Sequence, residues 1–236
     1  MAETHERLIG RLATVLASLH ALEPGAARLC EATRRMLDAD GVALGLMTST
    51  DSAVVVASTG GVADQLDDLE EVVGEGPTRD AYRDRSIQIG RFGEHGDGRW
   101  SLMHEHGRRL GFEGMLMAVP LRAGDEVIGT ITAHWHDPQA SVDVVAAEFL
   151  GVAIGAALLQ DPSLGGRGEI YAEVWSSRAQ IHQATGMIVS QVGVHPEDAL
   201  ALLRGQAFAK NTTLLDVAQQ IVERRINFRH FTIEGD

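Results

Sequence analysis

The stretch MLMAVPLRAGDEVIGTITAHWH, residues 115–136, decides the fold of the longer, N-terminal part of the chain. Two apolar segments, Met115–Leu121 and Val127–His136, flank the polar turn Arg122–Glu126, which is a pattern typical of a β-hairpin. Residues 42–47 and 53–58 repeat this pattern around the polar residues 48–52. Because the strands of a hairpin are antiparallel, the sequence predicts an antiparallel meander sheet.

Helices are predicted on both sides of these hairpins. Residues 3–21 place Leu8, Leu12, Val15, Leu16 and Leu19 on one helical face, and a second helix begins near Pro24 and ends at Gly41. Residues 141–160 form a long apolar helix, and the middle of the chain holds short helical and loop pieces that include Gly90–Gly98. The apolar run 149–159 is shorter than the roughly 20 residues of a membrane-spanning helix, so a buried helix is expected. Together these elements predict an α+β domain.

A second, all-helical part follows a glycine-rich linker. We expect a first domain over residues 1–160, a linker at 161–168 and a helical domain over 169–236. Residues 169–192 carry apolar side chains at alternating spacings of four and three, which indicates either a weak dimer zipper or the inner face of a helical bundle. Pro196 opens the next helix, Lys210–Thr213 interrupts it, and Leu214 begins the last one.

Charge is divided unevenly between the two parts. The net charge of −13 lies in residues 1–177, which hold 14 of the 20 Lys and Arg residues and 27 of the 33 Asp and Glu residues. Residues 178–236 hold the remaining six of each and are neutral, so any contact with nucleic acid must come from a local basic patch. The single cysteine, Cys30, excludes an internal disulfide and a cysteine-based zinc site, and a reduced cytoplasm is expected. Residues 1–10 carry Glu3 and Glu6 and do not have the pattern of a secretory signal.

The start of the helical part is similar to a known family. The string Arg178–Val189, with Ala199, Leu203, Arg204, Ala207, Asn211, Leu215 and Ala218 at matching spacings, resembles the ANTAR domain over about residues 170–230. The resemblance implies a three-helix module that binds stem-loops in nascent RNA and so allows transcription to continue. One departure is Thr185, which stands where the family pattern usually has a lysine.

The N-terminal part is similar to a second family. Gly74–Pro77, Asp80–Tyr82, Arg99–Trp100 and Val119–Leu121, together with the strand-to-helix exit over 128–160, resemble the GAF domains that precede ANTAR domains in bacterial regulators. The resemblance implies a sensor domain that binds a small molecule or redox cofactor, or serves for dimerisation. Thr78 stands where related GAF domains often have a cysteine, which excludes a thiol signal at that position.

The candidate RNA contacts combine motif position with chemistry. RNA recognition needs cations for phosphates and polar groups for unpaired bases, and the break Lys210–Thr213 offers both at a helix N-terminus. An ordinary capped turn explains the same residues equally simply. Gly186, in mid-helix, indicates close approach of either a packed backbone or a nucleic acid. The predicted RNA-binding residues are Arg178, Gln183, Thr185, Gly186, Arg204, Lys210, Asn211, Thr212, Thr213, Arg224 and Arg225.

A candidate effector site lies on the predicted sheet. Thr130, Thr132, His134 and His136 alternate along one strand and therefore share a face, and Trp100 belongs to the GAF-like pattern. A metal site built from His134 and His136 needs a third converging ligand, so we expect no metal. The residues do not identify a cofactor.

Three functions remain open from the sequence. The first is a cytoplasmic, signal-responsive regulator, a homodimer without catalytic activity that binds RNA stem-loops and has a small-molecule effector. The second joins a GAF sensor to a DNA-binding helix-turn-helix, but such a motif needs a recognition helix after Ile221, where few residues remain. The third is a dimerisation or interaction protein without a nucleic-acid partner.

Overall fold

The computed structural model describes residues 2–22, 25–47, 53–93, 98–160, 170–210 and 212–228. Side chains are described from residue 5 onward within these ranges, except those of residues 170–179 and 197. The chain divides into two compact units. The first comprises Met1–Glu70 and Glu75–Arg167, and the second comprises Glu71–Gly74 and Gly168–Asp236.

A five-stranded antiparallel sheet forms the centre of the first unit. Its strands are β1 (Gly41–Met47), β2 (Ala53–Ser58), β3 (Gln88–Phe92), β4 (Gly114–Ala123) and β5 (Glu126–Trp135), in the spatial order β2-β1-β5-β4-β3. The hairpin β4–β5 pairs Val119 with Ile131 and closes between Ala123 and Glu126, where Gly124 has a positive φ of 63°. The predicted α+β fold and both predicted hairpins are confirmed, whereas the turn 48–52 lies outside the described residues.

The strand β3 corrects the sequence analysis, which placed only helical and loop pieces in the middle of the chain. Five residues with a glycine at their centre give no clear alternation, so the pattern alone does not indicate a strand. Gly90 is required there because a Cβ atom would lie 2.4 Å from Cζ3 of Trp100. Residues Gln88–Phe92 pair with Ala118–Gly114 of β4. This pairing makes the segment a strand, although its own residue pattern does not predict one.

The helices α2 (Ala26–Leu37) and α6 (Val144–Gln160) cover one face of the sheet, and α1 (Ala2–Ser18) packs on these two helices. The helix α1 ends three residues earlier than predicted, before a turn, and α6 begins three residues later than predicted. The Asp143 carboxylate caps the start of α6 by accepting a hydrogen bond from the Ala146 N–H. The helix α6 lies very close to β4, where a Cβ atom on Gly155 would lie 2.3 Å from the Arg122 carbonyl oxygen. The apolar run 149–159 is therefore a helix of this domain, as predicted.

The opposite face is covered by α4 (Pro77–Asp84), with α3 (Val62–Val73) before it and α5 (Ser101–Arg109) beside β3. Val119 faces Gly151 of α6, so its partner Ile131 also points towards α6 and the neighbouring Thr132 points away. The Thr132 hydroxyl lies 3.0 Å from the Thr78 hydroxyl of α4. The sheet thus has an apolar face under α6 and a polar row under α4.

The second unit is a bundle of α7 (Ile170–Val192), α8 (Pro196–Lys210) and α9 (Leu214–Val222). Its small core residues allow the helices to pack closely, and the buried Ile226 and Phe228 close the core after α9. The core of the three helices contains Ala184, Ile188, Ala199, Leu203, Ala207, Leu214, Val217, Ala218 and Ile221.

The side chains of α7 that show the zipper-like spacing are described only in the second half of the helix. Ile181, Ala184 and Ile188 pack into the core of their own bundle, and the Gln191 side chain accepts a hydrogen bond from the Phe228 N–H at 2.8 Å. In this half the pattern is therefore the inner face of a bundle. The side chains of Ile170, Val174 and Ser177 lie outside the described ones.

Two further observations concern the end of the chain. The helix α9 ends at Val222, so Arg224 and Arg225 lie in the turn after it. Within the described residues, which reach Phe228, no α-helix follows α9. None of the helices in the described ranges is both long enough and apolar enough to cross a bilayer.

Candidate functional site

The junction between α8 and α9 is a capped helix start. The Thr213 hydroxyl accepts a hydrogen bond from the Asp216 N–H at 3.0 Å, and the Thr212 hydroxyl donates to the Asp216 carboxylate at 2.8 Å. The hydrogen bonds from Thr212 and Thr213 hold the pKa of Asp216 below its usual value. Both predicted threonines thus have a structural role, and the carboxylate beside them repels phosphate. Asn211 lies outside the described residues.

Cations also lie near this junction, and two of them contact Gln220 of α9. The Gln220 side-chain oxygen lies 3.5 Å from Nζ of Lys210, and its carbonyl oxygen accepts the Arg225 N–H at 2.7 Å. Lys210 is exposed and is the only lysine in the sequence. The structure therefore brings Lys210 and Arg225, which are distant in sequence, to one region of the bundle surface.

Arg224 and Arg225 are both exposed in the turn that ends α9. Arg224 has a left-handed backbone with φ of 61°, and its N–H bonds the Ile221 carbonyl. The Arg225 guanidinium pairs with the Glu223 carboxylate, and both side chains are more than half exposed. An exposed pair of this kind contributes little to stability, so Arg225 can exchange its partner for a phosphate at small cost.

The predicted residues of α7 lie on a separate element. Gln183 and Gly186 belong to its exposed face with His182 and Ser190, and a Cβ atom on Gly186 would contact no described atom within 4 Å. Close packing of the bundle therefore does not explain this glycine.

Three other predicted RNA contacts are less accessible or not described. The Thr185 hydroxyl donates to the Ile181 carbonyl of its own helix at 2.8 Å. Arg204 is half-buried on α8, and the side chain of Arg178 lies outside the described ones. Of the predicted set, Lys210, Arg224 and Arg225 are the exposed cations whose side chains the structure describes.

The predicted effector residues fall on the polar face of the sheet. Thr130, Thr132 and His134 point to the same side of β5, and all but Thr132 are at least 95% buried. The Thr130 hydroxyl has no hydrogen-bond partner among the described residues. Because an unpaired buried hydroxyl is costly, Thr130 marks a place for a water molecule or a ligand atom.

Glu70 is the residue of this face that the sequence analysis missed. Its side chain is 5% exposed, and its carboxylate accepts hydrogen bonds from the Thr78 hydroxyl and from the Arg79 N–H at 3.0 Å. Burial raises its pKa to about 7, against the lowering effect of these hydrogen bonds. The signal was present in the sequence, because Glu70 continues the inward stripe of Ala63 and Leu66 on α3.

Aromatic rings surround the end of this face. Phe92 stacks between Trp100 and His104, with ring centroids 6.4 Å and 4.5 Å away. The Trp100 indole N–H donates to the Asp80 carboxylate at 2.8 Å, which holds the tryptophan against α4. Trp100 therefore lies near the candidate effector site. Its indole N–H is already bonded to Asp80, so the ring offers the site an apolar surface.

The two strand histidines differ in their surroundings. Burial lowers the pKa of His134 to about 4, so its imidazole is neutral near pH 7. His136 lies after the end of β5, is exposed, and its Nδ1 lies 3.0 Å from the Asp40 carboxylate. Among the described residues no group of three or more side chains is arranged to hold a metal ion.

Comparisons with known protein families match both parts of the chain. The model of the GAF domain matches residues 26–159, and the model of the ANTAR domain matches residues 173–222. No curated protein matches the chain.

Solved GAF domains are similar to the first unit at low sequence identity. The GAF domain of a Coxiella burnetii phosphoenolpyruvate-protein phosphotransferase is 14% identical with a TM-score of 0.48, over 70% of this chain and 99% of that one. The corresponding Acinetobacter domain is 10% identical with a TM-score of 0.43, over 64% and 92% of the two chains. The GAF-B domain of DevS from Mycobacterium smegmatis is 16% identical with a TM-score of 0.42, over 60% and 96%.

The family assignment rests on the two family models, of which the GAF model covers more than half of the chain. The sensor-type domain precedes an RNA-binding antitermination module, in the order predicted from the sequence. The chain therefore belongs to the GAF domain family and, with its C-terminal ANTAR domain, is a GAF-ANTAR regulator.

Proposed function

We propose that this protein is a cytoplasmic, signal-responsive transcription antitermination regulator that binds stem-loops in nascent RNA. In this proposal it acts as a homodimer and not as an enzyme, with a GAF domain over residues 1–160, a linker at 161–168 and an RNA-binding domain over 169–236. The observation that supports RNA binding most strongly is the group of exposed cations Lys210, Arg224 and Arg225 on the matched ANTAR region and directly after it.

Phosphate is expected to bind at Lys210 and Arg225, near the junction between α8 and α9. Lys210 lies next to the side-chain oxygen of Gln220, and the backbone N–H of Arg225 donates to the Gln220 carbonyl. Asp216 places a negative charge beside Thr212. The carboxylate repels phosphate from the threonine cap, and the cations attract it. Unpaired bases then need polar partners, and the exposed Gln183 and the open surface at Gly186 on α7 provide them.

The substitution at position 185 lowers the contribution of α7 to phosphate binding. The Thr185 hydroxyl is bonded to its own helix and carries no charge, so it does not replace the lysine of the family pattern. We therefore assign the electrostatic part of RNA affinity mainly to Lys210, Arg224 and Arg225, with Arg178 and Arg204 as further contributors.

A small-molecule effector is proposed to bind at the polar face of the GAF sheet. The Thr130 hydroxyl, which has no partner in the described ranges, and the hydroxyl pair of Thr132 and Thr78 give this face hydrogen-bonding groups. The Trp100 ring gives it an apolar wall. Neutral His134 adds a group that both donates and accepts.

The first experiment measures binding of the full chain to a pool of RNA hairpins across a salt series. We expect Lys210→Ala and Arg225→Ala each to weaken binding several-fold and to reduce the slope of log K against log salt by roughly 0.7 to 0.9. Arg7→Ala is the matched control, because Arg7 is an exposed arginine of α1 in the other unit. Equal binding by all four proteins would contradict the proposed site.

The single lysine allows an independent readout. An amine-reactive label can modify only Lys210 and the N-terminal amine, so the two positions report separately after proteolysis. We expect bound hairpin RNA to protect Lys210 and to leave the N-terminal amine reactive. Equal labelling of Lys210 with and without bound RNA would place the RNA elsewhere.

A further inference from the structure

Phe208 of α8 is an aromatic side chain on the surface of the second unit. It is 40% exposed, and among the side chains of this unit that the structure describes it is the one exposed large apolar group. The buried residues of α8 are Ala199, Leu203 and Ala207, at spacings of four, so Phe208 lies beside this stripe and not on it. The described core of the bundle does not include the phenyl ring.

The residues of α8 that lie around Phe208 on the helix surface are small. Ala201 and Gly205 precede it by seven and three residues and so share its side of the helix, Ala209 follows it, and all three are exposed. A Cβ atom on Gly205 would meet no described atom within 4 Å, so packing among the described residues does not require a glycine, which weakens a helix interior. A flat group can therefore approach the ring across a low surface.

The chemistry around the ring favours a nucleotide. Lys210, an exposed cation, ends α8 two residues after Phe208. Unpaired bases of RNA loops stack on aromatic side chains, and cations bind the phosphates. Two residues turn a helix through about 200°, so Phe208 and Lys210 leave α8 on different sides and contact different parts of a bound RNA. A stable protein interface needs about 800 Å² on each partner, far more than one phenyl ring among alanine and glycine residues offers.

We propose that one unpaired base of the RNA hairpin loop stacks on the ring of Phe208. The ring contributes a contact without charge, while Lys210 contributes the contact with phosphate. Because a base must leave its duplex to expose a face for stacking, this contact distinguishes a loop from a double helix. This inference rests on the RNA binding of the proposed function and assigns it a residue that recognises the loop.

The test is binding of the full chain to RNA hairpins across a salt series. Phe208→Ala should weaken binding roughly 5- to 150-fold, the size of one lost base–aromatic stack, and should leave the slope of log K against log salt unchanged. Phe208→Tyr keeps a flat ring and should bind like the wild type. Leu102→Ala is the matched control, because Leu102 is a 47% exposed apolar side chain of α5 in the other unit. Thermal unfolding checks that each variant is folded.

Removal of single loop bases tests the contact itself. In a set of hairpins, each loop nucleotide in turn lacks its base. We expect one abasic position to weaken binding of the wild type as much as Phe208→Ala does, and to weaken binding of that variant no further, because both changes remove the same stack. The other loop positions should add to the effect of Phe208→Ala, and additivity at every position would contradict the stacking.

The variants also separate this inference from the function on which it rests. Hairpin binding by Phe208→Ala as tight as that of the wild type, or equal losses in Phe208→Ala and Phe208→Tyr, would overturn the stacking and leave RNA binding intact. If Phe208→Ala alters the sedimentation of the free protein and not its hairpin affinity, the ring is a protein contact and the stacking is wrong. A wild type that binds no hairpin would overturn both RNA binding and the stacking.

Discussion

Glu70 is a buried carboxyl group that accepts hydrogen bonds from the Thr78 hydroxyl and the Arg79 N–H, and its burial makes stability depend on pH. Its pKa rises from 4.5 to about 7 because burial disfavours the carboxylate. The folded state therefore holds a proton between pH 4.5 and 7 that the unfolded state releases. This contribution to stability is full below pH 4.5 and is lost as the pH rises through 7.

The substitution Glu70→Gln isolates this effect. Relative to wild type, we expect the variant to gain stability as the pH rises from 5 to 8, by about 3 kcal/mol at most. The measurement is the free energy of unfolding in urea at each pH. His134, whose pKa is lowered to about 4, makes both proteins less stable below pH 6.5 and cancels in the comparison. A difference that does not change with pH would show that Glu70 does not titrate in this range.

A substitution at Gly186 allows its effect on helix stability to be measured separately from its effect on RNA affinity. A methyl group at this exposed position meets no described atom within 4 Å, so Gly186→Ala should stabilise the helical unit by up to about 1 kcal/mol. If the RNA backbone approaches α7 here, the same variant binds hairpin RNA more weakly although it is more stable. Thermal unfolding and hairpin binding measured on the same samples check both effects, and unchanged RNA affinity would exclude close approach at Gly186.

At the scale of the element, the contact of α6 with the sheet depends on glycine. A Cβ atom at Gly155 would lie 2.3 Å from the backbone oxygen of Arg122 and 2.8 Å from its nitrogen, and backbone cannot rotate away as a side chain can. We expect Gly155→Ala to destabilise the first unit by about 1 to 3 kcal/mol. Gly10→Ala on α1, where the added methyl group meets no described atom within 4 Å, is the control and should be neutral or stabilising. Equal stability of the two variants would show that α6 does not depend on this close approach.

Elements with a clear apolar period could be predicted from the sequence, and elements defined by their neighbours could not. The hairpin β4–β5 is predicted by the alternating spacing of its apolar residues, and the helices of the second unit are predicted by helical spacing. The strand β3 depends on pairing with β4, and the turn at Arg224 depends on how α9 ends. For the same reason the candidate RNA contacts could be named individually from a motif, but the proximity of Lys210 to Arg225 through Gln220 required the fold.

The candidate effector site shows the same division. Alternation along β5 correctly placed Thr130, Thr132 and His134 on one face, because period-two spacing is a property of the strand itself. It also included His136, which lies beyond the strand and pairs with Asp40. Glu70 comes from α3 and joins the site only through the fold, since its partners are Thr78 and Arg79 at the start of α4.

At the scale of the whole molecule, an acidic protein is proposed to bind a polyanion. All of the net charge of −13 lies before residue 178, and the neutral C-terminal part carries the cations proposed to contact RNA. The acidic part repels nucleic acid that does not engage the local patch, so binding should depend on the structure of the RNA and not only on its charge.

The most direct test of RNA recognition by this protein is the affinity of the full chain for RNA hairpins compared with duplex DNA of equal length, measured from low to high salt. We expect hairpins to bind more tightly than the duplex at every salt concentration, and their affinity to fall as salt rises because phosphate contacts release counterions. Equal affinity for duplex DNA, or no hairpin binding by folded protein, would show that the protein does not recognise RNA hairpins.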